Sequence, residues 1–185
     1  MLTEIFRKTV LMVFIMGFVL PGTASSRDLK GYQQTLWRHL ETVVNFGPRP
    51  SGSPALEKLR GYIRSEGKKY ADEIREQKFT FQKRGEPAVP MVNIELVFHG
   101  KLKKAPLLLG AHYDTRPFAD KEADPFAQRL PIPGANDGGS GTAVLLALAQ
   151  YLHTHKPERP VRLVFFDGED YGEEGSPDYF QGSKH

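Results

Sequence analysis

Three short strings hold most of the side chains that could do chemistry in this chain: His112-Tyr113-Asp114, Asn136-Asp137-Gly138-Gly139 and Asp167-Gly168-Glu169-Asp170. Each alone has an ordinary explanation. A His-x-Asp pair is common in surface loops, Asp137 before Gly138 could cap a helix, and Glu169-Asp170, with Glu173-Glu174 behind it, could be a solvated acidic turn. Brought together they need a cation, because carboxylates crowded at one place repel one another. The chain has no cysteine, so disulfides, thiolate zinc sites and a cysteine nucleophile are excluded and any metal falls to His, Asp and Glu. That donor set suits Zn²⁺, and Mn²⁺ or Co²⁺ less well. Asp114, two residues beyond His112, is placed to orient the imidazole.

The surrounding elements explain why these strings should meet. Pro106–Ala111 (PLLLGA) and Val161–Phe166 (VRLVFF) are short apolar runs, read as strands buried within a sheet. Gly141–Leu152 between them is an uncharged helix, so the segment makes a βαβ unit with parallel strands. The carboxyl ends of neighbouring parallel strands share one edge, outside which ligands bind. His112 and Asp114 follow the first strand, Asp137 opens the helix, and Glu169 and Asp170 follow the second strand. The loop from Asp114 to Asn136 is long enough to be functional.

Upstream, Leu36, Leu40, Val43 and Val44 mark one face of a helix from Leu29 to about Phe46. The turn-rich Gly47–Pro54 follows, and Ser53-Pro54 reads as an N-cap and first-turn proline for a second helix, Pro54 to about Ala71, with Leu56, Leu59, Tyr62 and Ile63 inward. Lys78–Gln82 and Met91–Phe98 alternate like half-exposed strands, joined through Gly85-Glu86-Pro87 as a hairpin. Other candidates fall away. Ser140 lacks the spacing of a nucleophile elbow, and the neighbouring glycines lack the Lys-Ser/Thr ending of a phosphate loop. His153 and His155 suit a helix C-terminus, His39 and His99 read as structural or solvent-exposed, and Trp37 reads as core.

The chain of 185 residues is 39% hydrophobic and 25% charged, ordinary for a soluble globular protein. A net charge of +3 without basic runs argues against a nucleic-acid partner. Arg7-Lys8, the apolar run Val10–Leu20, Pro21 and the small residues Gly22-Thr23-Ala24 make residues 1–24 an export signal, with an uncleaved anchor as the alternative. The run is shorter than the roughly 20 residues that span a bilayer. Removing it leaves a net charge of +2, and export without cysteine points to a bacterial periplasm or exterior.

The strings Gly110–Thr115, Pro133–Gly141 and Phe165–Asp170, with the earlier Phe46–Ser53 turn, resemble the co-catalytic zinc exopeptidases, the family of bacterial leucyl-type aminopeptidases and glutaminyl-peptide cyclotransferases. The resemblance implies an α/β fold of three layers, α/β/α, around a mixed, mainly parallel sheet. Residues 25–185 would then be the N-terminal part of a single catalytic domain, with further ligands, an aspartate and a histidine, lying downstream. It implies that Asp137 and Asp170 bind the catalytic zinc, that Asp170 stands where relatives often have Glu, and that Glu169 is the general acid/base. His112 matches the ligand of a second zinc, a position cyclases can retain unfilled, and Asp114 matches its partner. The run Gly175-Ser176-Pro177-Asp178 to Gly182-Ser183-Lys184-His185 resembles the cyclotransferase branch. The implied activity is therefore conversion of an N-terminal glutamine to pyroglutamate with one zinc, or two. An aminopeptidase is the alternative, and a metal-dead peptide-binding ectodomain a further one. The implied partner is a peptide or small-protein N-terminus.

Overall fold

In the computed structural model, which describes residues 26–83, 85–172 and 174–185, the two N-terminal helical patterns become α1 (Ser26–Asn45) and α2 (Pro54–Tyr70). The expected export signal lies outside these residues. The α2 boundary follows its local chemistry: Ser53 Oγ accepts the Leu56 N–H at 3.1 Å, and Pro54 occupies the first turn. Trp37 is 60% exposed on the outer side of α1, donating to Glu41 at 2.7 Å, so it is not core. It follows Leu36 by one residue, and a turn of about 100° carries it off the buried stripe.

Four strands follow: β1 (Glu73–Phe81), β2 (Val89–Phe98), β3 (Leu107–His112) and, after helix α3 (Gly141–Thr154), β4 (Val161–Phe166). β1 begins five residues before the alternating run. Its first half, Glu73-Ile74-Arg75-Glu76-Gln77, is mostly exposed at the sheet edge, where charge protects the open side. The strand order is β1-β2-β4-β3. β3 and β4 are parallel, from Leu107 opposite Val161 to His112 opposite Phe166, with α3 as the crossover, as the βαβ reading requires.

The sheet as a whole corrects the expectation of a mainly parallel one. β1 pairs with β2, and β2 with β4, in antiparallel register, leaving one parallel pair in a mixed but mostly antiparallel sheet. The short return from Phe81 to Val89 can join only antiparallel neighbours, whereas a parallel pair needs a crossover, and the described chain contains one. β3 also lies at an edge rather than within the sheet, with Leu107 44% and Leu108 53% exposed.

The core lies between one sheet face (Ile94, Leu96 and Phe98 of β2; Val161, Leu163 and Phe165 of β4) and the three helices, which contribute Val43, Leu59, Ile63, Leu146 and Ala149. Among the described residues no helix is long and apolar enough to cross a membrane. This packing fixes the ends of β3 and β4 side by side, and the chemistry is carried on the loops that leave them.

Candidate metal centre

His112 is the last residue of β3, Asp170 lies four residues past the end of β4, and Asp137 lies in a wide helical turn, Ala135–Ser140, that leads into α3. The turn is broken at Asp137 (φ −85, ψ 114) and Gly138 (φ 75, ψ −38), which swings the Asp137 carboxylate back toward the strand ends. Gly138 is required there twice over. Its φ is left-handed, and a Cβ would run into the Asp114 carbonyl and stand 3.3 Å from the His112 ring.

One ligand atom each from His112, Asp137 and Asp170 lie within 4.8 Å of one another. His112 Nε2 is 3.0 Å from Asp137 Oδ1. Asp170 Oδ1 accepts the Tyr179 hydroxyl at 2.6 Å, with Arg116 Nη1 at 3.8 Å, while its Oδ2 is buried without a hydrogen-bond partner. An orphaned carboxylate oxygen beside an imidazole and a second carboxylate is a cation-binding geometry. The nitrogen and oxygen donors fit zinc. These three residues would hold one Zn²⁺.

Fully buried Asp114 stands behind them. One oxygen is 3.4 Å from His112 Nδ1, too long for a good hydrogen bond but close enough for charge, and the two oxygens accept the N–H groups of Glu169 (3.3 Å) and Asp170 (3.0 Å). Asp114 thus ties the imidazole to the turn carrying the second ligand. Burial alone would lower the His112 imidazole, but Asp114, Asp170 and Asp137 outweigh it and push it up to about 9. Burial raises the Asp114 and Asp170 carboxyls, the latter also through Asp137. Crowded acids and a held proton are the signature of a site balanced for a cation. Glu169, half-buried on the same turn, is outside the three-residue group, and its carboxylate is bonded to Ser183 instead.

Two buried charges support the site without belonging to the three-residue group. Arg49, fully buried, donates to the carbonyls of Gly47 (2.9 Å), Pro133 (3.0 Å) and Gly134 (2.9 Å), and its N–H to Thr115 Oγ1 (2.8 Å), joining the N-terminal turn to both site loops. Burial pushes its guanidinium down to about 10 despite nearby Asp114. Asp167, first of the acidic string, turns into the core, where Arg60, Ser51 Oγ (2.7 Å) and the Val92 N–H (2.8 Å) bind it. Asp167 stands in the acidic string and Arg49 in the N-terminal turn, but nothing in the sequence signals that either is buried. His39 is buried against Tyr62 at 2.7 Å, away from this group, and His99 is exposed.

A carboxylate–imidazole group on the carboxyl-terminal edge of a layered α/β sheet defines a zinc exopeptidase-like active site. The sequence model of Peptidase family M28 matches residues 93–185, and the chain belongs to that family. It is 38% identical over 69 residues to aminopeptidase YwaD of Bacillus subtilis (strain 168), across 37% of this chain and 12% of that protein. Among solved structures, it is similar to Porphyromonas gingivalis glutaminyl cyclase (TM-score 0.76, 32% identity, 82% of this chain and 53% of that one). A leucine aminopeptidase precursor from Bacteroides thetaiotaomicron VPI-5482 is similar to the same degree (TM-score 0.75, 28% identity, 82% and 54%). The chain thus spans about half the length of these structures.

Proposed function

We propose that this protein is a zinc-dependent glutaminyl-peptide cyclotransferase, with residues 25–185 the N-terminal part of its catalytic domain. The observation that carries the reading is the fold of residues 175–185 against the metal group. Tyr179 reaches Asp170 from that run, and Lys184 Nζ ties it down through the carbonyls of Pro177 (2.6 Å) and Tyr179 (2.5 Å). This is the Ser176-Pro177-Asp178 to Gly182-Ser183-Lys184-His185 run that resembles the cyclases, and several similar solved structures are described as glutaminyl cyclases.

His112, Asp137 and Asp170 would hold the ion, and His112 is also the residue that any second ion would use. Bound zinc supplies Lewis acidity at the γ-carbonyl of an N-terminal glutamine. The chain's own contribution is proton transfer and orientation. Glu169 takes a proton from the α-amine as its nitrogen bonds to the γ-carbonyl carbon, and delivers a proton to the departing amide nitrogen. The carbon–nitrogen bond to that amide breaks, ammonia leaves and the pyroglutamyl ring remains. Asp114 holds the imidazole and the turn bearing Glu169 in register. The substrate would be the N-terminus of a peptide or small protein, met after export to a periplasm or exterior through residues 1–24.

Aminopeptidase activity is the second reading, favoured by the likeness to YwaD and to the leucine aminopeptidase precursor. Glu169 would then deprotonate a water that attacks the first peptide bond. Mass spectrometry separates the two with one substrate, an unblocked glutaminyl peptide incubated with zinc-loaded protein. Loss of ammonia with the chain length kept supports the cyclase, whereas gain of water with release of free glutamine refutes it.

A further inference from the structure

Both carboxylate oxygens of Glu169 are engaged by one residue. The Ser183 backbone N–H donates to Oε1 at 2.6 Å, and the Ser183 hydroxyl donates to Oε2 at 2.8 Å. Ser183 itself is exposed, so burial does not put it there. Its backbone is placed by its neighbours. The Gln181 N–H donates to the Gly168 carbonyl at 2.9 Å, the Phe180 N–H to the Glu169 carbonyl at 3.2 Å, and Asn93 Nδ2 to the Gly182 carbonyl at 2.9 Å. Gly182 is buried so tightly that a Cβ would strike the Asp167 backbone and meet Asn93 Oδ1 at 2.7 Å. The segment is thus stitched to β2 and to the turn after β4, and it carries two donors to a carboxylate that no other hydrogen bond reaches among the described residues.

We propose that Ser183 is a positioning residue for the Glu169 carboxylate, acting as a two-point clamp. The inference rests on the reading of Glu169 as the proton carrier. A glutamate carboxylate turns freely about its last bond. Two charge-assisted donors from one residue fix its plane, while each oxygen keeps a second lone pair free for a substrate proton. The backbone donor sets the position and the hydroxyl selects the orientation.

The test uses Ser183→Ala, which removes the hydroxyl and keeps the N–H, and Ser183→Thr, which keeps both. In zinc-loaded protein Ser183→Ala should lower kcat about tenfold, with KM and zinc content unchanged, because misorientation costs rate rather than binding. Ser183→Thr should recover most of that loss. An unaltered kcat in Ser183→Ala, or an equal loss in Ser183→Thr, overturns the proposal. Amide hydrogen exchange gives a readout independent of turnover: Glu169→Ala should speed exchange at the Ser183 N–H about tenfold while β4 amides keep their protection. Equal exchange in wild type and Glu169→Ala overturns the clamp itself. If wild type turns over neither glutaminyl nor other unblocked peptides, the functional reading fails, and the exchange measurement still decides whether Ser183 holds the carboxylate.

Discussion

Zinc affinity should depend steeply on pH, and His112 sets the slope. In the metal-free protein its carboxylate neighbours hold the imidazole at about 9. At pH 7 only about one molecule in a hundred therefore has the unprotonated ring that zinc needs. Apparent affinity at that pH lies roughly 10²-fold below its limit and climbs about tenfold, some 1.4 kcal/mol, for each pH unit up to about 8.5. Calorimetric zinc titration in two buffers of different ionisation heat counts the protons directly. Release should be close to one per zinc near pH 7 and fall toward one half near pH 9. His112→Gln should abolish it, and Asp114→Asn, which removes the charge 3.4 Å from Nδ1, should move the curve to lower pH. The same proton governs stability. A folded pKa raised above the unfolded value of about 6.5 means that protonated His112 stabilises the metal-free fold. That contribution is fully present below pH 6.5 and is lost as pH rises through about 9, on the order of 3 kcal/mol in urea unfolding. Constant zinc affinity without proton release between pH 7 and 8.5 would refute both the ligand assignment and the electrostatics behind it.

Three further substitutions test the roles of individual charged groups. Glu169→Gln should leave zinc content intact and lower turnover by about 10²–10⁴-fold, whereas Asp170→Asn should weaken zinc itself, so that excess zinc restores part of the activity of the second variant and none of the first. Equal metal loss in both would show the pair misassigned. Arg60→Leu should destabilise the fold by about 3–5 kcal/mol in chemical denaturation, because it leaves fully buried Asp167 without its cation. A loss within 1 kcal/mol, roughly the worth of an exposed ion pair, would mean that the pair does not act as a buried one.

The legible part of the site was the part governed by sheet topology. His112, Asp137 and Asp170 could be brought to one edge because two apolar runs flanking an uncharged helix can hardly be anything but a parallel pair, and the structure pairs them in that register. The sheet around that pair was less legible. β1 starts in Glu73-Ile74-Arg75-Glu76, where no alternation shows because both faces meet solvent, and the antiparallel majority comes from that strand and its partner. Leu107 and Leu108 show the converse: two leucines in an apolar run look like the middle of a sheet but stand at its open edge. Trp37 misled in the same way, since residue type suggested core while helical phase placed it outside. Arg49 and Asp167 lie within strings the sequence singles out, but their supporting roles did not show: long-range burial decides them, and neither composition nor spacing encodes which turn a charge will be folded beneath.

Those hidden charges explain how the ligand group can stand ready. His112, Asp137 and Asp170 come from three separate segments, the end of β3, the turn before α3 and the turn after β4, and the two carboxylates among them oppose close approach. Burying a charge costs several kcal/mol unless it is paired or hydrogen-bonded, yet the structure buries Arg49, Asp114 and Asp167 immediately behind the site. Each binds groups on different segments. Arg49 joins residues 47, 133 and 134, Asp114 reaches His112 and the N–H groups of 169 and 170, and Asp167 gathers Ser51, Arg60 and the Val92 N–H. An apolar residue in any of these places could fill the space but could not satisfy the carbonyls and N–H groups that turn inward where loops converge. Because those groups are already satisfied by the protein, ordering the loops need not be supplied by the ion. More of the binding free energy of zinc is then available to its affinity, as in any preorganised site.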